Sequence, residues 1–158
     1  MWKRGEMKMQ YEEVYLEERI VVGVSTRIKN SNPTMPNVIG KLWKDFYSNN
    51  VYNAILDKAS TTTIGLYDEY ESDVNGAYDI TVCAQVNKVE EIPKGCVVKH
   101  IPAGKYAKFY VHGHVQKAVM QFWQQLWKMD LKRSYKADFE EYMNLSEEEA
   151  DIIIYIAL

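Results

Sequence analysis

The chain has 158 residues, of which 47% are apolar and 26% are charged, a balance typical of globular proteins and too apolar for a disordered chain. Its formal net charge of −3, without any Lys/Arg run, argues against nucleic-acid binding, which normally shows as a basic face. The two cysteines, Cys83 and Cys96, are too few for the disulfide framework of a secreted domain, and we expect both as free thiols.

Neither end of the sequence carries a targeting or membrane signal. Residues 1–10 are polar and lack the apolar stretch of a signal peptide. The longest apolar run, 152–158, is too short to cross a bilayer. We therefore expect a cytoplasmic protein with no membrane partner.

The predicted elements follow the order strand, helix, strand, strand, and they do so twice. In the first half, the strands are 20–27, 63–70 and 78–86, and a helix near 38–49 begins after a Pro-Asn pair. In the second half, the strands are 106–111, 138–143 and 151–158, and the helix lies near 114–129. Residues 96–101 form an additional strand before an Ile-Pro-Ala-Gly turn.

The sequence of the second half also resembles that of the first. The hairpins 66–86 and 138–158 match at a shift of 72, and the helices match at a shift of 80, where Trp43 meets Trp123. A longer loop after the first helix accounts for the difference. The duplication predicts an α+β fold of two βαββ modules related by pseudo-two-fold symmetry, with an antiparallel sheet, two main helices and a cleft at the junction.

We expect a single domain over residues 1–158, with approximate halves 11–90 and 95–158. Twelve tyrosines and four tryptophans fit either a large core with tyrosines at its rim or a ligand cavity. On the second helix, Met120, Trp123 and Trp127 widen the apolar face to about 200°, against about 100° for a simple packing stripe. Either loops cover these aromatic side chains or they wall a pocket.

Three motifs resemble one known family. Residues 101–109, IPAGKYAKF, resemble the "iPaGkYavF" stretch of GyrI-like (AraC-type) effector-binding domains, and residues 138–142, DFEEY, resemble their "dFExY" strand. Residues 39–46, IGKLWKDF, resemble the "I..LW..F" helix of the stand-alone integron-associated or YdeE-like branch. Gly113 falls where the family has a Gly before its second helix. The resemblance covers most of the chain.

This resemblance implies a SOUL-like pair of βαββ modules with a cleft that binds small, often apolar or cationic, organic molecules. It implies a sensor without a DNA-binding domain, because the first strand begins near residue 11 or 20. Some stand-alone relatives hydrolyse cyclopropane-containing compounds and another inhibits gyrase, so binding, hydrolysis and gyrase inhibition all stay open. A small organic molecule is the expected partner, with a lipophilic cation as one candidate, a homodimer is left open, and no cofactor is predicted.

Glu140 is the first candidate for the site, because the family motif has its acidic residue at this position. Strand alternation places Glu140 and Tyr142 on one face. In an aromatic pocket the carboxylate would pair with a ligand cation, or its raised pKa would make it a general acid or base assisted by Tyr142. The alternative is a solvated strand residue. The other candidate lining residues are Trp43, Tyr67, Tyr70, Tyr106, Trp123, Trp127 and Tyr155, and Asp68 is a weaker candidate as the counterpart of Glu140.

The His112-Gly113-His114 segment suggests either a metal site or a strand-to-helix turn. Two histidines do not complete a zinc site, and no other His or Cys has a suitable spacing. We therefore interpret the segment as a turn and predict no metal. The sequence also lacks a nucleophile elbow, a P-loop and a dinucleotide fingerprint.

Overall fold

The computed structural model describes residues 9–73 and 75–158, and within them the two βαββ modules are present as predicted. The elements are β1 Glu12–Leu16, β2 Arg19–Lys29, α1 Met35–Ser48, α2 Val51–Ala54, β3 Thr63–Asp68, β4 Ala77–Val86, β5 Val97–Ile101, β6 Gly104–Gly113, α3 Val115–Trp127, β7 Ala137–Tyr142 and β8 Ala150–Ala157. The short helix α2 was not predicted. Most of the segment tested for a signal peptide, residues 1–8, lies outside the described residues.

The described strands form one antiparallel sheet in the order β1-β6-β8-β7-β3-β4-β2-β5. The triplets β6-β8-β7 and β3-β4-β2 come from the two modules, and β1 and β5 extend the two edges. The modules therefore join through the central pair β3–β7, and the pseudo-two-fold axis passes between these strands. This arrangement confirms the predicted α+β fold.

Both long helices pack on the same face of the sheet. On α1, Phe46 is buried against Val82 of β4, and on α3, Phe122 and Leu126 are buried against Ile154 of β8. Paired residues in a ladder point to the same side, and the row Val82, Gly65, Glu140, Ile154 runs across four strands. That row lies on the helix face. None of the described helices is long and apolar enough to cross a membrane.

The opposite face of the sheet carries a second apolar cluster. It is centred on Phe139, which stacks on Tyr155 with ring centroids 4.6 Å apart. Val14 and Leu16 of the edge strand β1 pack against this cluster, because Val14 pairs with Tyr106 of β6, which belongs to it. The central strands are therefore buried on both faces, and a polar side chain on either face needs a partner.

Candidate functional site

Glu140 lies at the centre of the helix face, on β7 next to the junction of the modules. It pairs with Gly65 of β3, and a Cβ atom at Gly65 would lie 3.2 Å from Glu140 Oε1 and 3.3 Å from Trp43 Cζ2. The missing side chain leaves the space in which the carboxylate and the α1 tryptophan approach each other. The side chain of Glu140 is almost completely enclosed, and the residue is 1% exposed.

Three neutral donors hold the Glu140 carboxylate. The Tyr67 hydroxyl and Trp123 Nε1 donate to Oε2 at 2.9 and 2.7 Å, and the Tyr142 hydroxyl donates to Oε1 at 2.7 Å. The donors come from β3, α3 and β7, so both modules fix the position of the carboxylate. We call Glu140 with Trp43, Tyr67, Trp123 and Tyr142 the Glu140 cluster.

The rings of this cluster pack edge to face. Trp43 meets Tyr142 with centroids 4.9 Å apart, and Tyr67 meets Trp123 at 5.3 Å. The two tryptophans project from α1 and α3, one from each module. The structure thus places four predicted lining residues around the predicted carboxylate.

Electrostatics at the cluster follow from burial. Burial raises the pKa of Glu140, and the hydrogen bonds from Trp123, Tyr142 and Tyr67 partly offset this effect. Burial and then the charge of Glu140 raise the pKa of Tyr67 and Tyr142 well above the usual range of tyrosine. Both hydroxyls therefore stay protonated and act as donors at neutral pH.

Glu140 differs from the other buried carboxylates among residues 9–73 and 75–158. Each of the other three buried carboxylates forms an ion pair with a basic side chain. The pairs are Asp68 with Lys99 at 3.0 Å, Asp138 with Arg133 at 2.7 Å and Glu141 with Arg19 at 3.2 Å. Within the same described residues, Glu140 forms no ion pair with a Lys, Arg or His side chain. Its negative charge is held by hydrogen bonds from neutral groups alone.

Two further predicted residues lie at the margin of the cluster. The Tyr70 hydroxyl donates a hydrogen bond to Asp138 Oδ2 at 2.6 Å. Asp138 precedes Glu140 by two residues on β7. Trp127 follows Trp123 by one helical turn and is exposed, as are Met120 on the same helix and Tyr47 on α1. The exposed aromatic and apolar side chains mark the solvent side of the two helices.

Tyr106 and Tyr155 do not join the Glu140 cluster, although both were predicted to line the site. Tyr155 pairs with Phe139, and side chains alternate along β7, so both tyrosines lie on the face opposite Glu140. There Tyr106 packs edge to face on Phe139 at 5.8 Å and donates its hydroxyl hydrogen bond to the Pro102 carbonyl. They belong to the second apolar cluster.

Asp68 also lies on that opposite face, next to Lys99. It shares the side of Leu66, which pairs with Phe139. A uniform shift of 72 equates Asp68 with Glu140 and so equates residues on opposite faces. A shift of 72 therefore does not align structurally equivalent residues of the central strands β3 and β7.

The structure adds two residues that sequence reasoning missed. One is Gly65. A glycine inside a strand pattern can indicate a point where neighbouring groups approach the backbone closely, and this signal could have identified it. The other is Tyr78 of β4, whose ring lies 5.8 Å from that of Tyr67. Burial, with a contribution from the Glu140 charge, raises the pKa of Tyr78 to about 12.

The two histidines around Gly113 separate in the structure. His112 pairs through Nδ1 with Asp151 at 2.6 Å on the surface, whereas His114 precedes α3. Gly113 has φ 138°, a backbone conformation that residues other than glycine rarely adopt, and this fits the strand-to-helix turn. Within the described part of the chain, no group of three or more His, Cys, Asp or Glu could hold a metal ion.

Comparison with known proteins agrees with the motifs. The family model of the integron-associated effector binding protein, Cass2, matches residues 14–158. YobU of Bacillus subtilis (strain 168), a protein named as a transcriptional regulator, is 27% identical over 154 residues, covering 91% of this chain and 94% of YobU.

Two solved structures share the fold. The integron cassette protein VCH_CASS2 from the mobile metagenome of Vibrio cholerae is 28% identical, with a TM-score of 0.76 over 93% of this chain and 94% of that one. SAV2435, solved bound to tetraphenylphosphonium, is 20% identical, with a TM-score of 0.74 over 94% of each chain. The chain belongs to the integron-associated effector binding protein family, within the GyrI-like superfamily that its motifs resemble.

Proposed function

We propose that this effector-binding protein holds a lipophilic organic cation at the Glu140 cluster. The observation that carries the proposal is a buried carboxylate that has aromatic neighbours and lacks the cation that each other buried carboxylate of the described chain possesses. The tetraphenylphosphonium bound to SAV2435 supports this ligand class. Small-molecule binding itself follows from the family.

The energetics favour a cation over a neutral ligand. A carboxylate removed from water without an opposite charge is costly, and a ligand cation offsets that cost. In the effective dielectric of a protein, charges about 4 Å apart attract by about 4 kcal/mol. The rings of Trp43, Trp123 and Tyr142 add cation–π attraction of about 2 kcal/mol where water is excluded. Lipophilic substituents on the cation then bury apolar surface against the same rings.

The ligand reaches Glu140 between α1 and α3. Because Glu140 is 1% exposed, the rings above it must move before a ligand contacts the carboxylate. Trp43 and Trp123 belong to the helices and can change rotamer, whereas Glu140 is fixed on a central strand. The exposed side chains Tyr47, Met120 and Trp127 form the apolar rim of this path.

Calorimetric titration of tetraphenylphosphonium into the wild type and the variant Glu140→Gln tests the proposal. We expect Glu140→Gln to weaken binding about 100-fold, equivalent to about 2.7 kcal/mol. Triphenylphosphine oxide, a neutral relative of the probe, should bind both proteins with similar low affinity. Glu141→Gln is the matched control, because Glu141 is the next residue on β7 and faces the opposite side.

Wild-type affinity for tetraphenylphosphonium in a folded Glu140→Gln variant would overturn the proposal. The hydrolase alternative would use Glu140 as a general base on water. Three donors already engage the two carboxylate oxygens, and this arrangement favours binding over activation of water. Mass spectrometry of the recovered ligand separates the two functions, since a binding protein returns the ligand unchanged.

A further inference from the structure

Arg133 is a cation buried beside the Glu140 cluster. It lies in the segment between α3 and β7, and its side chain is 6% exposed. Its Nη2 donates to Asp138 Oδ2 at 2.7 Å, and Asp138 is fully buried. Asp138 also accepts hydrogen bonds from the Tyr70 hydroxyl and from the backbone N–H of Ala157. The carboxylate of Asp138 is thus paired and well satisfied.

Aromatic rings surround the guanidinium of Arg133. Its Cζ lies 4.3 Å from the ring centroid of Tyr135 and 5.9 Å from that of Trp123. Arg133 Nε is buried without a hydrogen-bond partner among the described residues. One carboxylate and two rings therefore hold this cation, and the Glu140 cluster offers the same chemistry to a ligand.

The backbone next to Arg133 adopts an unfavourable conformation that places the Tyr135 ring against the guanidinium. Tyr135 has φ 57°, in the left-handed region that bulky residues rarely adopt. Such a conformation persists only where the surrounding contacts determine it. The ring of Tyr135 contacts both Arg133 and Tyr70, whose centroid lies 5.6 Å away.

We propose that Arg133 is a positioning and specificity-determining residue for the cation site, an inference that rests on the function proposed above. It neutralises Asp138, so that Glu140 alone presents an unpaired charge and the site accepts one positive charge. It also packs against Trp123, whose Nε1 donates to Glu140 at 2.7 Å.

The spacing of the two carboxylates makes the charge count important. Asp138 and Glu140 are two residues apart on one face of β7, which corresponds to about 7 Å along the strand. With Arg133 in place, the pair of carboxylates carries one unpaired negative charge. Without Arg133 the pair carries two unpaired negative charges, and the affinity for a dication rises relative to the affinity for a monocation.

The test compares a monocation, tetraphenylphosphonium, with a dication, methyl viologen, by calorimetric titration. We expect the wild type to prefer the monocation and Arg133→Ala to shift the ratio of the two affinities at least about tenfold towards the dication. Millimolar guanidinium should restore the wild-type ratio in Arg133→Ala by refilling the vacated space. The double variant Arg133→Ala/Asp138→Asn should not respond to guanidinium, because it lacks the carboxylate.

General destabilisation would lower both affinities and leave their ratio unchanged, so the ratio reports on specificity. Lys132→Ala is the control, because it removes one exposed cation from the same segment and should leave the ratio as it is. If Arg133→Ala does not fold, Arg133→Met/Asp138→Asn removes both charges together and should bind tetraphenylphosphonium several-fold more weakly through the loss of the Trp123 contact. Wild-type affinity in that folded double variant would overturn the positioning role of Arg133 through Trp123.

The two proposals fail in different ways. A wild-type protein that binds neither probe overturns the proposed function and, with it, the role of Arg133 in specificity. A wild-type protein that binds tetraphenylphosphonium, together with an unchanged affinity ratio in folded Arg133→Ala, overturns the Arg133 role alone. An equal effect of guanidinium on the single and the double variant likewise overturns only the Arg133 role.

Discussion

Asp138 and Glu140 occupy the same face of the same strand, are both buried, and both accept hydrogen bonds from tyrosine hydroxyls. They differ in one respect, since Asp138 has the guanidinium of Arg133 at 2.7 Å and Glu140 is held by neutral donors. The Asp138 pair is complete within the chain. The Glu140 site is the same kind of pair with the cation missing, and we assign that missing part to the ligand.

The largest expected effect comes from breaking the complete pair. Asp138→Asn leaves the Arg133 guanidinium buried without its counter-charge, and the loss of one partner of a buried pair typically costs about 3–5 kcal/mol. Urea denaturation at pH 7 should show this loss in the free energy of unfolding. A loss below about 1 kcal/mol would mean that Asp138 and Glu140 are not energetically distinct.

The corresponding change at Glu140 should have the opposite sign. Because burial raises the pKa of Glu140 above its usual value near 4.5, its ionised form is less stable in the folded state than in the unfolded one. At neutral pH, Glu140→Gln removes this penalty and should stabilise the ligand-free protein by about 0.5–2 kcal/mol. The gain should disappear as the pH falls below about 4.5, where the wild-type carboxyl is protonated in both states.

Urea denaturation of the wild type and Glu140→Gln at several pH values measures this difference. The expected outcome is a site residue whose replacement improves stability while it removes cation binding. A Glu140→Gln variant that is less stable than the wild type at neutral pH would contradict the comparison with Asp138.

The smallest expected effect concerns one hydroxyl group. Under the proposed function, cation affinity should fall as the pH drops through the pKa of Glu140, because protonation removes the negative charge that would attract the ligand. Tyr142→Phe removes a hydrogen bond that lowers this pKa, so the midpoint of the affinity–pH profile should move to higher pH. Tyr70→Phe is the matched control, because its hydroxyl donates to Asp138 and its loss should leave the midpoint in place.

The fold was largely accessible from the sequence. The repeated order of elements and the helical spacing of apolar residues predicted both modules, and the structure confirms them. The helix α2, Val51–Ala54, was missed because a single helical turn is too short to produce a periodic pattern.

The site was only partly accessible. Trp43 and Trp123 followed from helical spacing, which fixes the face of a helical side chain locally, whereas Glu140 followed from the resemblance of its strand to the family motif. Tyr106 and Tyr155 were placed on the wrong side of the sheet, because the facing of a strand residue changes with a register shift of one. The sequence shift of 72 did not supply the register of the central strands.

Arg133 and Gly65 depend on contacts between distant parts of the chain. Arg133 lies outside the helices and strands, and its role can be recognised only from its contacts with Asp138 and Trp123 in the folded chain. Gly65 matters because Glu140 is its partner across the module junction. Local sequence patterns do not report such pairings.

The charge and the walls of the Glu140 cluster belong to different layers of the molecule. The carboxylate stands on a strand that the neighbouring strands hold on both sides, whereas the two indole rings stand on separate helices. Under the proposed function, substitutions on α1 and α3 would alter the size and outline of the molecules admitted, whereas Glu140 would still select the sign of their charge. A scaffold built in this way can diversify its ligands by changing a few helical side chains and leaving its sheet untouched.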